Sequence, residues 1–69
     1  MKLSARNQIP AKVIGIVHGE ATANVELDAC GSRLVASITV EAANELKLAP
    51  GSEVVAIIKA SDVIVAVAD

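Results

Sequence analysis

The stretch Ala21-Thr22-Ala23-Asn24-Val25-Glu26-Leu27-Asp28-Ala29 decides the fold class, because apolar and polar residues alternate through all of it. Successive side chains of a β-strand point to opposite faces, so this pattern predicts a strand with one buried and one solvated face. Turn-forming residues lie on either side of it, at 18–20 and 30–32. Apolar runs lie beyond both turns, at 9–17 and 33–39, so the sequence predicts three antiparallel strands joined by hairpins.

A helix is predicted after the third strand, because apolar residues over 40–48 recur at helical spacing. Thr39 suits the N-cap of this helix, since its hydroxyl can accept a hydrogen bond from a free backbone N–H of the first turn. The pair Pro50-Gly51 ends the helix. Two more apolar segments follow and predict a fourth and a fifth strand, at 53–58 and 63–68.

This order of elements is that of an OB-like barrel, with five strands and one short helix between strands 3 and 4. The sequence therefore predicts an all-β fold and a single domain over residues 1–69. Two alternatives stay open, a looser β-sandwich and a barrel completed by strands from a partner chain.

The composition favours an oligomer. Of the 69 residues 54% are hydrophobic, yet the chain has no Phe, Tyr or Trp. A core of Val, Ile, Leu and Ala buries less area per residue than aromatic side chains do, and a chain this short buries only about 60% of its unfolded surface. A subunit interface would cover the apolar surface that one copy leaves exposed.

Charge and composition disfavour several classes of function. The net charge of −2 and the lack of aromatic residues argue against a nucleic-acid partner. His18 and Cys30 are the only residues of their types, so we expect no catalytic pair, no metal centre, no cofactor and no enzyme activity. With no signal peptide and no apolar run of membrane-spanning length, a cytoplasmic protein without a membrane partner is expected.

Two short polar clusters contain hydrogen-bond donors and no acidic residue. One is Ser4-Ala5-Arg6-Asn7-Gln8, directly before the first strand, and the other is Lys59-Ala60-Ser61, directly after the fourth. Donors without carboxylates suit an anion that is fully deprotonated at neutral pH. The alternative is that both clusters are ordinary turns, in which the Ser and Asn side chains bond to their own backbone.

The chain resembles the molybdate-binding Mop domains, the small molbindins. The opening residues 2–8 and 12–15 resemble the start of these domains, and 56–63 resembles their second signature. The segment 37–40 leading into 45–48 is also similar. The resemblance covers essentially the whole chain and implies one free-standing Mop domain.

This resemblance implies a cytoplasmic protein that stores or buffers molybdate or tungstate. It also implies a homohexamer, a trimer of dimers, with binding sites between subunits. The site residues that it implies are Ser4, Ala5, Arg6, Asn7, Lys59, Ala60 and Ser61.

Molybdate is a tetrahedral dianion that accepts hydrogen bonds through four oxygens. The hydroxyls of Ser4 and Ser61 and the nearby backbone N–H groups are candidate donors. Arg6 and Lys59 would supply positive charge, since burying an unpaired dianion would be very costly. Alternatively, Arg6 pairs with Asp62 and only shapes the pocket.

A second kind of site occurs in the family, close to symmetry axes. The start of the predicted helix offers free N–H groups to an anion, and a turn containing the single histidine is another candidate. The residues that could form such a second site are His18, Gly19, Ser37 and Thr39.

One rival interpretation is a transcription regulator. Residues 38–54 resemble the swapped-hairpin DNA-binding domains of transition-state regulators and antitoxins, which also place a short helix before a Pro-Gly turn and a strand. This match covers about a quarter of the chain and is explained equally well by helix-stop chemistry at Pro50-Gly51. The acidic net charge weighs against it.

Overall fold

The computed structural model describes residues 1–68 of the chain. Its elements are β1 Asn7–His18, β2 Thr22–Ala29, β3 Ser32–Thr39, α1 Val40–Glu45, β4 Glu53–Ile58 and a 3₁₀ helix Ala60–Asp62. The strands form one antiparallel sheet in the order β3-β2-β1-β4. The predicted all-β fold with one short helix between strands 3 and 4 is confirmed.

The alternating stretch forms β2, and its apolar side chains build the core. Ala23, Val25, Leu27 and Ala29 are buried, whereas the polar residues between them are exposed or half-buried. Val13 of β1 packs against Val25 and Leu27 at the centre of the core. The predicted division of this strand into a buried and a solvated face is therefore confirmed.

β1 pairs with two different strands along its length. Residues 7–12 pair with β4, and residues 12–18 pair with β2. The register to β2 shifts between Val13 and Gly15, which leaves Ile14 as the extra residue of a β-bulge. A bulge bends its strand and increases the local twist, so β1 can serve both partners in one curved sheet.

α1 ends at Glu45, three residues before the predicted end at Leu48. Lys47 adopts a left-handed backbone conformation with φ 53°. The N–H of Lys47 donates to the carbonyl of Asn44 at 3.0 Å, and the N–H of Leu48 donates to that of Ala43 at 3.1 Å. These two bonds form a Schellman motif, which satisfies the last carbonyls and stops the helix before the proline is reached.

The predicted fifth strand is not confirmed. Residues 63–68 form no strand pairing with any other part of the described chain, and their side chains are exposed. β3 and β4 are the two free edges of the sheet, and an apolar cavity of about 280 Å³ lies between them, lined by residues of both strands. The four-stranded sheet of a single chain is therefore open along this side.

The left-handed residue at the end of α1 yields a stability prediction. A left-handed conformation costs a residue with a Cβ roughly 1–2 kcal/mol, and glycine does not have this cost. We expect Lys47→Gly to be about 1 kcal/mol more stable than its matched control Lys47→Ala, because both remove the same charge and only glycine fits the backbone. Urea unfolding at one protein concentration measures the difference. Equal stability of the two variants would contradict this account of the helix end.

Candidate functional site

The two donor clusters meet at one end of the sheet. Asn7, the first residue of β1, pairs with Ile58, the last residue of β4. The side-chain amide nitrogen of Asn7 also donates to the carbonyl oxygen of Ile58 at 3.0 Å. Arg6, just before Asn7, and Lys59, just after Ile58, are the first residues beyond this last rung. Residues that are 51 positions apart in sequence are thus neighbours, as the sequence interpretation required.

Beyond this rung both segments leave the ladder. The first segment bends at Ser4. In the second, Lys59 is extended and caps the 3₁₀ helix, in which the N–H of Asp62 donates to the carbonyl of Lys59 at 2.9 Å. The N–H groups of Ala60 and Ser61 come first in this helix, where no preceding turn supplies a carbonyl. They are therefore available as backbone donors beside the Ser61 hydroxyl.

The polar side chains of the two clusters are open to solvent. Ser4, Arg6, Lys59 and Ser61 are exposed, and Ala5 is half-buried. Within residues 1–68 none of the four polar side chains forms a hydrogen bond or an ion pair. These hydroxyl and cationic groups are available to a ligand.

The alternative pairing of Arg6 with Asp62 is not present. In the part of the chain that the structure describes, the ion pair that forms is Arg33 with Glu26, on neighbouring strands far along the sheet. The guanidinium of Arg6 is therefore not neutralised by a carboxylate of the described residues, and its charge can act on an anion.

Asn7 differs from the other predicted ligands. Its side chain is half-buried, and its amide already donates to a carbonyl of the protein. Nothing in the local sequence indicates this bond, because the acceptor belongs to the far end of the chain. The amide holds the two clusters together in addition to any contact with a ligand.

The residues predicted for a second site lie at the opposite end of β1. His18 pairs with Ala23 of β2, and Ala23 pairs in turn with Ile38 of β3. The predicted residues Ser37 and Thr39 flank that rung, and Gly19 follows His18, so the fold brings all four to one end of the sheet.

Several backbone N–H groups at this second end already donate to acceptors of the protein. The Thr39 hydroxyl accepts a hydrogen bond from the N–H of Ala42 at 3.0 Å, which confirms the N-cap. The N–H of Val40 donates to the carbonyl of Ala21, and the N–H of Gly19 donates to that of Thr22. A second anion site at this end stays a prediction.

Two other kinds of feature, a metal cluster and a membrane-spanning helix, are absent from residues 1–68. No group of three or more His, Cys, Asp or Glu side chains there is arranged to hold a metal ion. In the same range, no helix has the length and apolar character needed to cross a membrane.

Sequence reasoning missed the apolar cavity between β3 and β4. Its walls include Leu34 and Ala36 of β3 and Val54 and Ala56 of β4. These residues were assigned to strands, but the pattern of a strand does not reveal which of its edges lacks a partner. The available signal was the apolar segment 63–68, which contains no charged residue to mark a solvated face.

Comparison with known proteins gives a consistent result. A family model described as the TOBE domain matches residues 3–65. The probable molybdenum-pterin-binding protein of Haemophilus influenzae is 44% identical over 68 residues, which cover 97% of this chain and 99% of that protein. The structure of a molybdate binding protein from Sporomusa ovata matches with a TM-score of 0.92 and 41% identity, over 96% of this chain and 98% of that one.

A longer protein contains a similar unit. The cytoplasmic molybdate-binding protein ModG, solved with molybdate bound, is 43% identical with a TM-score of 0.84, over 87% of this chain and 43% of that one. The family model and the relatives agree over nearly the whole of the sequence. This protein belongs to the TOBE domain family and, within it, to the Mop group.

Proposed function

We propose that this protein binds molybdate or tungstate and thereby stores or buffers the oxyanion in the cytoplasm. The observation that carries the proposal is the meeting of two donor-rich clusters, neither with an acidic residue, at the Asn7–Ile58 rung. The names of its relatives support the choice of ligand, since they are described as molybdenum-pterin-binding or molybdate-binding proteins. The relatives are named for binding, and we propose no enzyme activity.

The chemistry of the clusters suits such a ligand. The hydroxyls of Ser4 and Ser61 and the backbone N–H groups beside them donate to oxyanion oxygens, while Arg6 and Lys59 compensate the double negative charge. Hydrogen bonds to charged groups contribute about 1.5–3 kcal/mol each. Four to six of them would support micromolar or tighter binding after the costs of association.

We further infer that a second copy of the chain completes the fold. Residues 63–68 supply exposed apolar side chains, among them Ile64 at 93% and Val67 at 87% exposure. The cavity between β3 and β4 is apolar and open, and both strands have an unpaired edge there. A partner's residues 63–68 inserted as a fifth strand would pair both edges and cover this apolar surface.

This arrangement would place the anion site at a subunit interface. The segment 63–68 follows directly after the 3₁₀ helix that contains Ala60 and Ser61. A tail that extends onto a partner therefore carries these donors to the contact between copies. Enclosure by a partner would also remove water from a site that is exposed in one chain, and charge-assisted bonds are stronger at lower dielectric.

The larger assembly follows from the resemblance to molbindins, which implies a homohexamer built as a trimer of dimers. In the described part of the chain, six hydrophobic residues are buried and twelve large hydrophobic residues are exposed. This excess of exposed apolar surface supports an extensive interface. We propose no nucleic-acid or membrane partner, since the net charge is −2 and the TOBE match extends far beyond the DNA-binding resemblance of 38–54.

The proposed function predicts selective heat on titration with molybdate. Calorimetry of the purified protein should give saturable binding of molybdate or tungstate, at about one or slightly more ions per chain. Sulfate at equal ionic strength is the control and should give no saturable heat. If neither molybdate nor tungstate binds, the two clusters are turns and the proposed function is wrong.

Two substitutions test the donor clusters. Ser4→Asp places a negative charge beside the dianion and should abolish binding while the oligomer stays intact. Lys59→Met should weaken binding at least tenfold if its ammonium compensates the ligand charge. Lys2→Met is a matched control for the loss of one positive charge outside the two clusters. Unchanged affinity in Ser4→Asp would show that Ser4 is not part of the site. A loss of less than tenfold in Lys59→Met would mean that backbone N–H groups, and not the Lys59 ammonium, account for the binding.

If residues 63–68 insert into a partner as a fifth strand, substitutions at adjacent positions of this segment should affect the assembly differently. In a strand, Val63, Val65 and Val67 share one face, and the smaller Ala66 and Ala68 lie on the other with Ile64. We expect the valine face to fill the cavity, so Val65→Glu should dissociate the assembly. Ala66→Glu should leave the mass measured by sedimentation unchanged. An intact assembly in Val65→Glu would contradict insertion of the valine face.

A further inference from the structure

We propose that Asn7 is a positioning residue, whose side-chain amide fixes the distance between the Ser4–Arg6 and Lys59–Ser61 segments so that both can contact one anion. This inference rests on the proposed function. It also reassigns Asn7, which the sequence places among the direct ligands. The residue acts through its neighbours, because one of its two amide N–H groups donates to a carbonyl of the protein.

The side-chain bond from Asn7 to Ile58 joins residues much further apart in sequence than the other side-chain bonds of the described chain do. Within residues 1–68, five side-chain hydrogen bonds form, and four of them join residues seven or fewer positions apart. The fifth joins Asn7 to Ile58 across 51 positions, with a donor–acceptor distance of 3.0 Å in a half-buried setting. It therefore connects the first strand to the last one at the site.

Because the Asn7 amide bond lies at the end of a ladder, it can hold the ladder's end closed. The Asn7–Ile58 pair is the last rung of the ladder between β1 and β4. Ladder ends fray because no further rung holds them, and the frayed residues here would be the donor clusters themselves. A side-chain bond across the last rung opposes this opening and limits the separation of Arg6 from Lys59.

The amide is suited to this role. One N–H of the Asn7 amide is used by the Ile58 carbonyl. The carboxamide oxygen at the same end of the side chain is an acceptor, which a dianion repels. A cation at this position would present donors alone, as Lys59 does.

A double-mutant cycle distinguishes positioning from direct contact. Calorimetry with molybdate should show about tenfold weaker binding for Asn7→Ala. In a Lys59→Met background the same substitution should cost less than threefold, because the segment that Asn7 positions then contributes less. A tenfold loss in both backgrounds would mark Asn7 as an independent ligand and overturn the proposal.

A control variant and a hydrogen-exchange measurement show whether a negative result contradicts the positioning role alone or the proposed function as well. Asn44→Ala removes an exposed asparagine on α1 and should leave affinity unchanged. Amide hydrogen exchange without ligand should accelerate at residues 4–6 and 59–61 in Asn7→Ala and not in Asn44→Ala. Wild-type binding with unchanged affinity and exchange in Asn7→Ala overturns the positioning role alone. Absence of molybdate and tungstate binding in the wild type overturns the proposed function and this role with it.

Discussion

The pairing of β1 with two strands at once is the constraint on which the architecture depends. Its first half forms a ladder with β4 and its second half one with β2, and the bulge at Ile14 joins the two halves. The sheet consequently curls around Val13, whose side chain is almost fully buried. Curling brings the free edges of β3 and β4 to the two sides of one apolar cavity. The same strand places its two ends, and with them the two predicted anion sites, at opposite ends of the sheet.

The small aliphatic core links folding to assembly. Val13 and Val25 are the largest fully buried side chains, so the interior of one copy contributes little apolar area. A sheet with an apolar cavity between unpaired edges is more stable when another strand occupies it. Because the proposed inserted strand begins beside the anion donors, ligand binding and subunit contact would stabilise each other. A ligand that binds only the assembled state shifts the equilibrium toward assembly by mass action.

The sequence predicted local structure well and relations between distant segments poorly. The alternation in 21–29 identified β2 within one residue of its observed start, because period-2 burial is a local property. The end of α1 was misplaced because Lys47 adopts a conformation that usually requires glycine, and no glycine marked it. The segment 63–68 has the composition of a β-strand, but composition does not indicate which strand it would pair with. The role of the Asn7 amide depends on Ile58, whose approach is a consequence of the complete fold.

Selection among oxyanions depends on geometry more than on charge. Sulfate and molybdate are both tetrahedral dianions, so a set of donors on mobile segments would contract around either one. Discrimination requires that the donors be held at a spacing that fits the larger ion and leaves the smaller one with longer, weaker bonds. In this chain the donors Ser4 and Ser61 lie on segments that have left the ladder, so the ladder itself cannot fix their spacing. The Asn7–Ile58 side-chain bond spans the last rung from which both segments depart. The selectivity of the proposed site would then depend on a residue whose amide bonds to the protein and not to the ion.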